Sequence, residues 1–383
     1  MESALEREPR VTPLELFFDL VFVFAFTQVT SLMSADPTAG GVLRGMLVLG
    51  ALWWAWEGYA WLTNTIDADE GGVRLAVLAV VGALLILSLA VREAFGSSAI
   101  LFGAAYFIVR ALHLVLYSIA GRDDPDLLGA VRRFAPTATL GPTLILVAGF
   151  SDGAGQYALW ALALAIDYLG ALRGHSAGWR VSAHHFVERH GLIVIIALGE
   201  SIVAIGVGAT GEPLGAGVVV AALLGICIAA SLWWAYFDWV SILVESRLAS
   251  ATGVARAALA RDAYAYLHLP MVAGIVLFAL GLKKALAHVG DELATVAALS
   301  LTGGVALYLL AHVGVRFRIG GGLGHGRPTA VLLLAALIPL SLAASALVAL
   351  ALVAAVCTAL IAYEALRYRE SRARIRETRQ APA

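Results

Sequence analysis

His190-Gly-Leu-Ile-Val-Ile-Ile-Ala-Leu-Gly-Glu200-Ser-Ile-Val-Ala-Ile-Gly206 sets one carboxylate deep inside an otherwise unbroken apolar run. At about 1.5 Å per helical residue, Glu200 lies roughly 15 Å from the start of the run, close to the middle of a bilayer. An ionisable side chain at that depth costs about 3 kcal/mol even on the gentler insertion scales. A partner, a water-filled cavity or protonation must compensate.

Similar runs recur along the whole chain. Its 383 residues are 61% hydrophobic and 14% charged, with a mean hydropathy of +0.86, far too apolar for a water-soluble globule. Apolar runs bounded by charge, Gly or Pro predict twelve spans, starting near residues 14, 42, 73, 99, 132, 155, 190, 215, 264, 293, 328 and 347. The fold expected is all-α, a polytopic membrane protein. The last two spans share one long run, and the count of twelve requires a turn near Pro339, Ser341 and Ser345.

Orientation follows from Lys and Arg. Twenty-one fall at the N-terminus, in the loops after even-numbered spans and in the tail, against four on the other side, with Arg110 inside a span. The positive-inside rule then puts both termini in the cytoplasm, in agreement with an even number of spans. No cleavable leader is apparent, since residues 1–10 mix both signs of charge before the first span. Cys227 and Cys357 both fall within spans, so neither a disulfide framework nor a thiolate metal site is expected.

The two halves repeat each other. Leu52-Trp-Trp-Ala-Trp-Glu-Gly-Tyr59 is matched by Leu232-Trp-Trp-Ala-Tyr-Phe-Asp-Trp239, His113 by His312, and Pro136-Thr-Ala138 by Pro328-Thr-Ala330. The expected organisation is a cytoplasmic N-terminus over 1–12, a first six-helix repeat over 13–173, a linker over 174–185, a second repeat over 186–367 and an Arg-rich tail over 368–383. Parallel repeats of this kind leave a crevice near the midplane, where a transport site is expected. The charges do not repeat: Glu57 is matched by Phe237, Arg110 by Leu309 and Asp19 by Gly191, while Gln28 stands opposite Glu200.

Tyr106, Arg110, His113 and Tyr117 share one face of the fourth span. Arg110 is too deep to reach either interface, and Glu200 and Glu57 are its expected partners. Thr12-Pro-Leu-Glu15 reads as a capping box, which accounts for Glu15; Asp19, one turn deeper on the same face, is the better functional candidate. Gln28 reads as interhelical glue. His184-His-Phe-Val-Glu-Arg-His190 reads as an interfacial helix start with Arg189 facing the cytoplasm, and a metal held by His184 and Glu188 lacks a third ligand. Ala197, Ser201, Ala204 and Gly208 form a small-residue stripe suited to close helix approach. Asp167, Asp238 and Glu364 are placed towards span ends within reach of water or a loop Arg, and Trp53, Trp54, Trp233 and Trp234 are expected to pack a pseudo-symmetric core.

Glu15-Leu-Phe-Phe-Asp-Leu-Val-Phe-Val-Phe-Ala-Phe-Thr-Gln-Val29 and the stretch from His185 to Gly206 closely resemble the two signatures of the bacterial low temperature requirement A family. The resemblance covers residues 11 to about 367 and implies a multi-spanning inner-membrane protein linked by name to growth in the cold. It marks Glu15, Asp19, Gln28, His185, Glu188, Gly191, Glu200 and Ser201 as signature positions; at His190 the family commonly has an aromatic residue. Phe18-Asp19-Leu-Val-Phe22 is also similar to the first-helix motif of a potassium channel family built on six-span repeats, with Phe in place of its Ser.

These readings lead to a secondary transporter or permease that binds a small polar solute, a proton or a cation between the repeats. Glu200, Glu57, Arg110, His113 and Asp19 are its principal candidates; Glu15, Gln28, Glu188, Ser201, Tyr106 and His312 are secondary ones. The alternatives are a cation channel lined by spans 1 and 7 and a lipid-modifying or membrane-adaptation role. No nucleophile paired with a base is visible, which argues against an enzyme. The expected partners are the bilayer, the solute or cation and a second copy of the chain, with no nucleic acid, cofactor or metal.

Overall fold

The computed structural model describes residues 10–66, 71–174, 176–210 and 213–367. Residues 1–9 of the expected N-terminal segment and the Arg-rich tail over 368–383 lie outside the described residues. Twelve long helices make up the described chain: α1 (Pro13–Ala35), α2 (Ala39–Thr63), α3 (Gly71–Ala90), α4 (Ala99–Ala120), α5 (Pro125–Ala148), α6 (Gly153–Arg173) and α7 (Ala183–Gly208) come first. After them come α8 (Ala216–Ser250), α9 (Gly253–Ala287), α10 (Thr295–Arg318), α11 (Gly326–Ala343) and α12 (Ala346–Arg367). Ten are long and apolar enough to cross a membrane. The other two, α5 and α6, carry Pro136 and Pro142 and Gln156 and Asp167 in place of a purely apolar run.

Local signals set the boundaries. Thr12 caps α1, with Pro13 in its first turn and Glu15 returning the capping box; Thr38 caps α2; Asp124 caps α5, with Pro125 following. The helices α8 and α9 each contain a π-turn, at Tyr236–Val240 and Arg261–Tyr266. The long apolar run near the C-terminus does break, at residues 344–345. Pro339 is inside α11 and does not make the turn. What stops the run is backbone pairing: Ala346 N donates to Asp291 O at 2.8 Å and Leu347 N to Val289 O at 3.1 Å, beside a bridge between Glu292 and Ser345.

Two compact units form. Unit 1 comprises the described residues up to Glu200 together with Ser241–Val276; unit 2 comprises Ser201–Val240 and the described residues from Leu277 on. This division does not follow the expected repeat boundary. In unit 1, α4 packs on α3 and α5, α5 on α6, and α2 on α1, α4 and α6; in unit 2, α10 packs on α11, and α12 on α8 and α11. Outward-facing apolar side chains such as Leu75, Leu89, Leu223 and Leu332 are exposed and meet lipid. Trp53 and Trp54 are core residues, as expected, but Trp233 and Trp234 are 45% and 41% exposed. The pair in unit 2 therefore faces outwards and does not pack a core, although its sequence repeats that of unit 1.

Missing side chains allow close approach at a few glycines. At Gly103 on α4 an added Cβ would lie 2.6 Å from Leu146 Cα on α5, and at Gly208, in the small-residue stripe of α7, 2.7 Å from Lys283 O. Gly103→Ala should therefore destabilise the protein by about 1–3 kcal/mol, because a backbone atom cannot yield as a side chain does. Gly82→Ala, on an exposed face of α3 with nothing within 4 Å, should be neutral or stabilising. Thermal melts of the two variants in detergent check the contrast; equal melting temperatures would show that the α4–α5 approach is loose.

Candidate functional site

The first helix sends two acids inwards. Glu15 and Asp19 stand one turn apart on α1, 2% and 0% exposed, so a cation must come from a neighbouring helix. It is Arg189 on α7: Nη1 donates to Glu15 Oε1 at 2.8 Å and Nη2 to Asp19 Oδ1 at 2.7 Å. Arg189 is fully buried, between the rings of Phe18 and Trp56. This corrects the expectation that Arg189 faces the cytoplasm: α7 starts at Ala183, which makes Arg189 an interior residue. His185 Nε2 meets Glu15 Oε2 at 3.1 Å, and Trp56 Nε1 donates to Asp19 Oδ1 at 2.8 Å. Glu15 thus serves the capping box and an ion pair together.

Glu200 belongs to the same seam between α1 and α7. It is 2% exposed, and Oε2 accepts from Thr27 Oγ1 at 2.6 Å. Gln28, which the repeat match aligns with Glu200, is half-buried, and it is the adjacent Thr27 that pairs with α7. Ser201 is buried. Glu188 is half-buried and accepts from Val11 N; His184 meets Glu245. Among the described residues no cluster of three metal-ligating side chains forms.

Arg110 does not meet Glu200. Its Nη2 donates to Asp167 Oδ1 on α6 at 3.4 Å and Nη1 to Trp54 O on α2 at 3.1 Å. Asp167, expected near water, is fully buried. Gly141 on α5 makes room for it, since a Cβ there would lie 2.7 Å from the Asp167 carboxylate. The α5–α6 packing thus brings to Arg110 an acid closer than the two expected from sequence. Tyr106, His113 and Tyr117 are buried on the same face of α4. In unit 2, His312 is buried, its Nδ1 2.9 Å from Tyr308 O.

Between the ends of α2, α4, α5, α6 and α9 and the linker after α6 lies a cavity with about 760 Å³ of empty space, counted out to its open mouth. All its wall residues belong to unit 1. Of the candidates from sequence it holds Glu57, Arg110 and His113; Glu200 and Asp19 are not in its wall. Trp54, Trp61, Phe134 and Trp179 supply apolar rings, while Arg133 and Arg261 supply guanidinium groups that sequence reading passed over. Trp179, from the linker, packs edge-on to Trp61, Tyr117 and Phe134.

Polar groups of this wall are incompletely satisfied. Trp54 Nε1, Arg110 Nε and His113 Nδ1 are buried without a hydrogen-bond partner, a costly condition in a protein interior. Behind the wall residue Glu57 stands His190. His190 Nδ1 is 2.8 Å from Phe186 O, which only accepts, so Nδ1 carries its hydrogen. His190 Nε2 and Glu57 Oε2, 3.0 Å apart, must share one further proton to make a hydrogen bond. Whether it rests on nitrogen or oxygen, the pair has no net charge. Glu57 Oε1 accepts from Trp61 Nε1 at 2.7 Å, and the His190 ring lies against Tyr264 and His268.

Residues 10–362 match the family described as bacterial low temperature requirement A protein. A protein of Rhizobium meliloti (strain 1021), described as uncharacterized, is 30% identical over 285 residues, 72% of this chain and 69% of the relative. No solved structure matches the chain.

Removing the cation of the α1–α7 seam should leave two acids buried together. Arg189→Met is expected to destabilise the protein by about 3–5 kcal/mol, read as a lower melting temperature in detergent, with partial recovery when Asp19→Asn is added. A single variant that melts like the parent would show that Glu15 and Asp19 need no buried counter-charge.

Proposed function

The chain belongs to the bacterial low temperature requirement A family, and for this member we propose a secondary carrier that moves a small polar solute through the cavity of unit 1, linked to a proton held by Glu57 and His190. The observation that carries the reading is the combination found at that wall: a partly open space among long helices, buried polar atoms without partners, and a hydrogen-bonded Glu57–His190 pair beside them. A purely structural bundle has no use for such a space, because unmet polar atoms in an apolar interior only destabilise it.

In this reading Arg110 and His113 contact the solute and Glu57 passes the proton, so the site lies within unit 1. The acids of the α1–α7 seam, Glu15, Asp19 and Glu200, hold those helices together. In this reading the protein works in the inner membrane with both termini in the cytoplasm, and the cavity, walled near the C-terminal ends of α2, α4 and α6, opens on the cytoplasmic side.

Proteoliposomes exposed to a radiolabelled extract of small metabolites should accumulate label when the outside is acidic. Glu57→Gln should abolish that accumulation while leaving exchange of label at equal pH intact. Accumulation unchanged by Glu57→Gln would remove Glu57 as the proton carrier, and uptake no greater than in empty liposomes would remove the carrier itself.

A further inference from the structure

We propose that the cavity is selective for a soluble organic anion, one acidic group on a flat apolar body. The inference rests on the reading of the cavity as a solute site and names the class of solute. It follows from the charges that remain once each wall group is paired. Glu57 and His190 cancel through their shared proton. Arg110 is paired with Asp167, and Arg261 with Asp262 at 2.7 Å. The exposed Arg133 donates to Ala177 O at 2.8 Å, a neutral acceptor. One positive charge is left over, on the exposed Arg133.

The unmet polar atoms point to the same class. Trp54 Nε1–H and Arg110 Nε–H are groups that can only donate, and both lack an acceptor. A carboxylate, sulfonate or phosphate oxygen supplies one; an ammonium or amidinium group cannot. His113 Nε2 lies 3.0 Å from Gly58 O, so it carries the hydrogen and leaves Nδ1 as an acceptor, suited to a hydroxyl on the same solute. Guanidinium groups also lie at graded depth, Arg133 exposed, Arg261 half-buried and Arg110 buried, an arrangement that draws an anion inwards.

The body of the solute is set by the rings. Trp54, Trp61, Phe134 and Trp179 offer faces and edges to a planar group. Gly174 and Ser176, from the end of α6 and the linker after it, stand in the cavity wall among helix ends, so in this reading water supplies the ligand.

Benzenesulfonate, always anionic and flat, and benzamidinium, of like shape and opposite charge, are the probes. Titration calorimetry on the full-length protein in phosphatidylcholine nanodiscs should show saturable binding of benzenesulfonate and at least about tenfold weaker binding of benzamidinium. Arg133→Glu, at an exposed position that should not disturb folding, should weaken benzenesulfonate roughly tenfold. Ser176→Trp, which puts a bulky ring in the wall, should abolish binding. The proposal is overturned by equal or tighter binding of benzamidinium, by no binding of benzenesulfonate, or by indifference to Arg133→Glu. It is also overturned if phosphatidylglycerol in the nanodiscs displaces benzenesulfonate, since the site would then belong to a lipid headgroup. Benzenesulfonate that binds but is never transported would sink the carrier reading and leave the ligand class standing.

Discussion

A buried guanidinium needs an acid at hydrogen-bond distance, and three such arginines organise the interior of this bundle. Arg189 holds Glu15 and Asp19, Arg110 holds Asp167, and Arg327 holds Glu364 through Nε at 2.8 Å. In lipid the alternative is an uncompensated charge whose cost exceeds that of most single core defects. Helix pairs that carry complementary charges must therefore pack against one another in one register. This explains why α1 and α7, distant in sequence, are joined by ion pairs where hydrophobic packing alone would leave rotation free.

The helices were largely legible in the sequence, and the errors fall in one place. Span starts expected near 132, 190 and 264 belong to helices that begin at Pro125, Ala183 and Gly253. In each case the opening turns carry charged residues or histidines, so a hydropathy reading begins the span where the uncharged run begins. Arg133, Arg189, His190 and Arg261 all lie in those overlooked or borderline turns; Arg189 is buried, and Arg133 and Arg261 line the cavity. A signal did exist: Glu15 and Asp19 share a face of α1, and two acids one turn apart inside an apolar helix demand a cation from elsewhere. The identity of that cation depends on which helices touch, which periodicity does not encode. For the same reason the sequence alone points Arg110 to Glu200 and Glu57, while its partner is Asp167, which packs beside it across Gly141.

A chemical likeness links the two units without aligned positions. Arg110 bridges Asp167 on α6 and Trp54 O on α2; Arg327 bridges Glu364 on α12 and Ala235 O on α8. Each unit thus ties a helix-end carboxylate to a backbone carbonyl through one guanidinium. The sequence match, however, sets Arg110 against Leu309, and Arg327 sits in the first turn of α11. Whatever the ancestry of the halves, the clamp has been built in two ways, and its placement decides what else fits nearby.

That placement separates a site from a strut. Arg327 is satisfied by both carboxylate oxygens of Glu364 and by a carbonyl, a closed arrangement with little left to offer a ligand. Arg110 reaches its acid only at 3.4 Å and keeps Nε without an acceptor, beside a cavity and a proton-sharing pair. Charge-assisted hydrogen bonds between well-positioned partners run about 2.7–2.9 Å, so the Arg110 pair is slack where the Arg327 pair is tight. A slack buried pair is unfavourable in a protein that only needs to be stable, and favourable in one that must exchange an internal partner for an external one. The difference between these two arginines is the strongest structural reason to look for chemistry in unit 1.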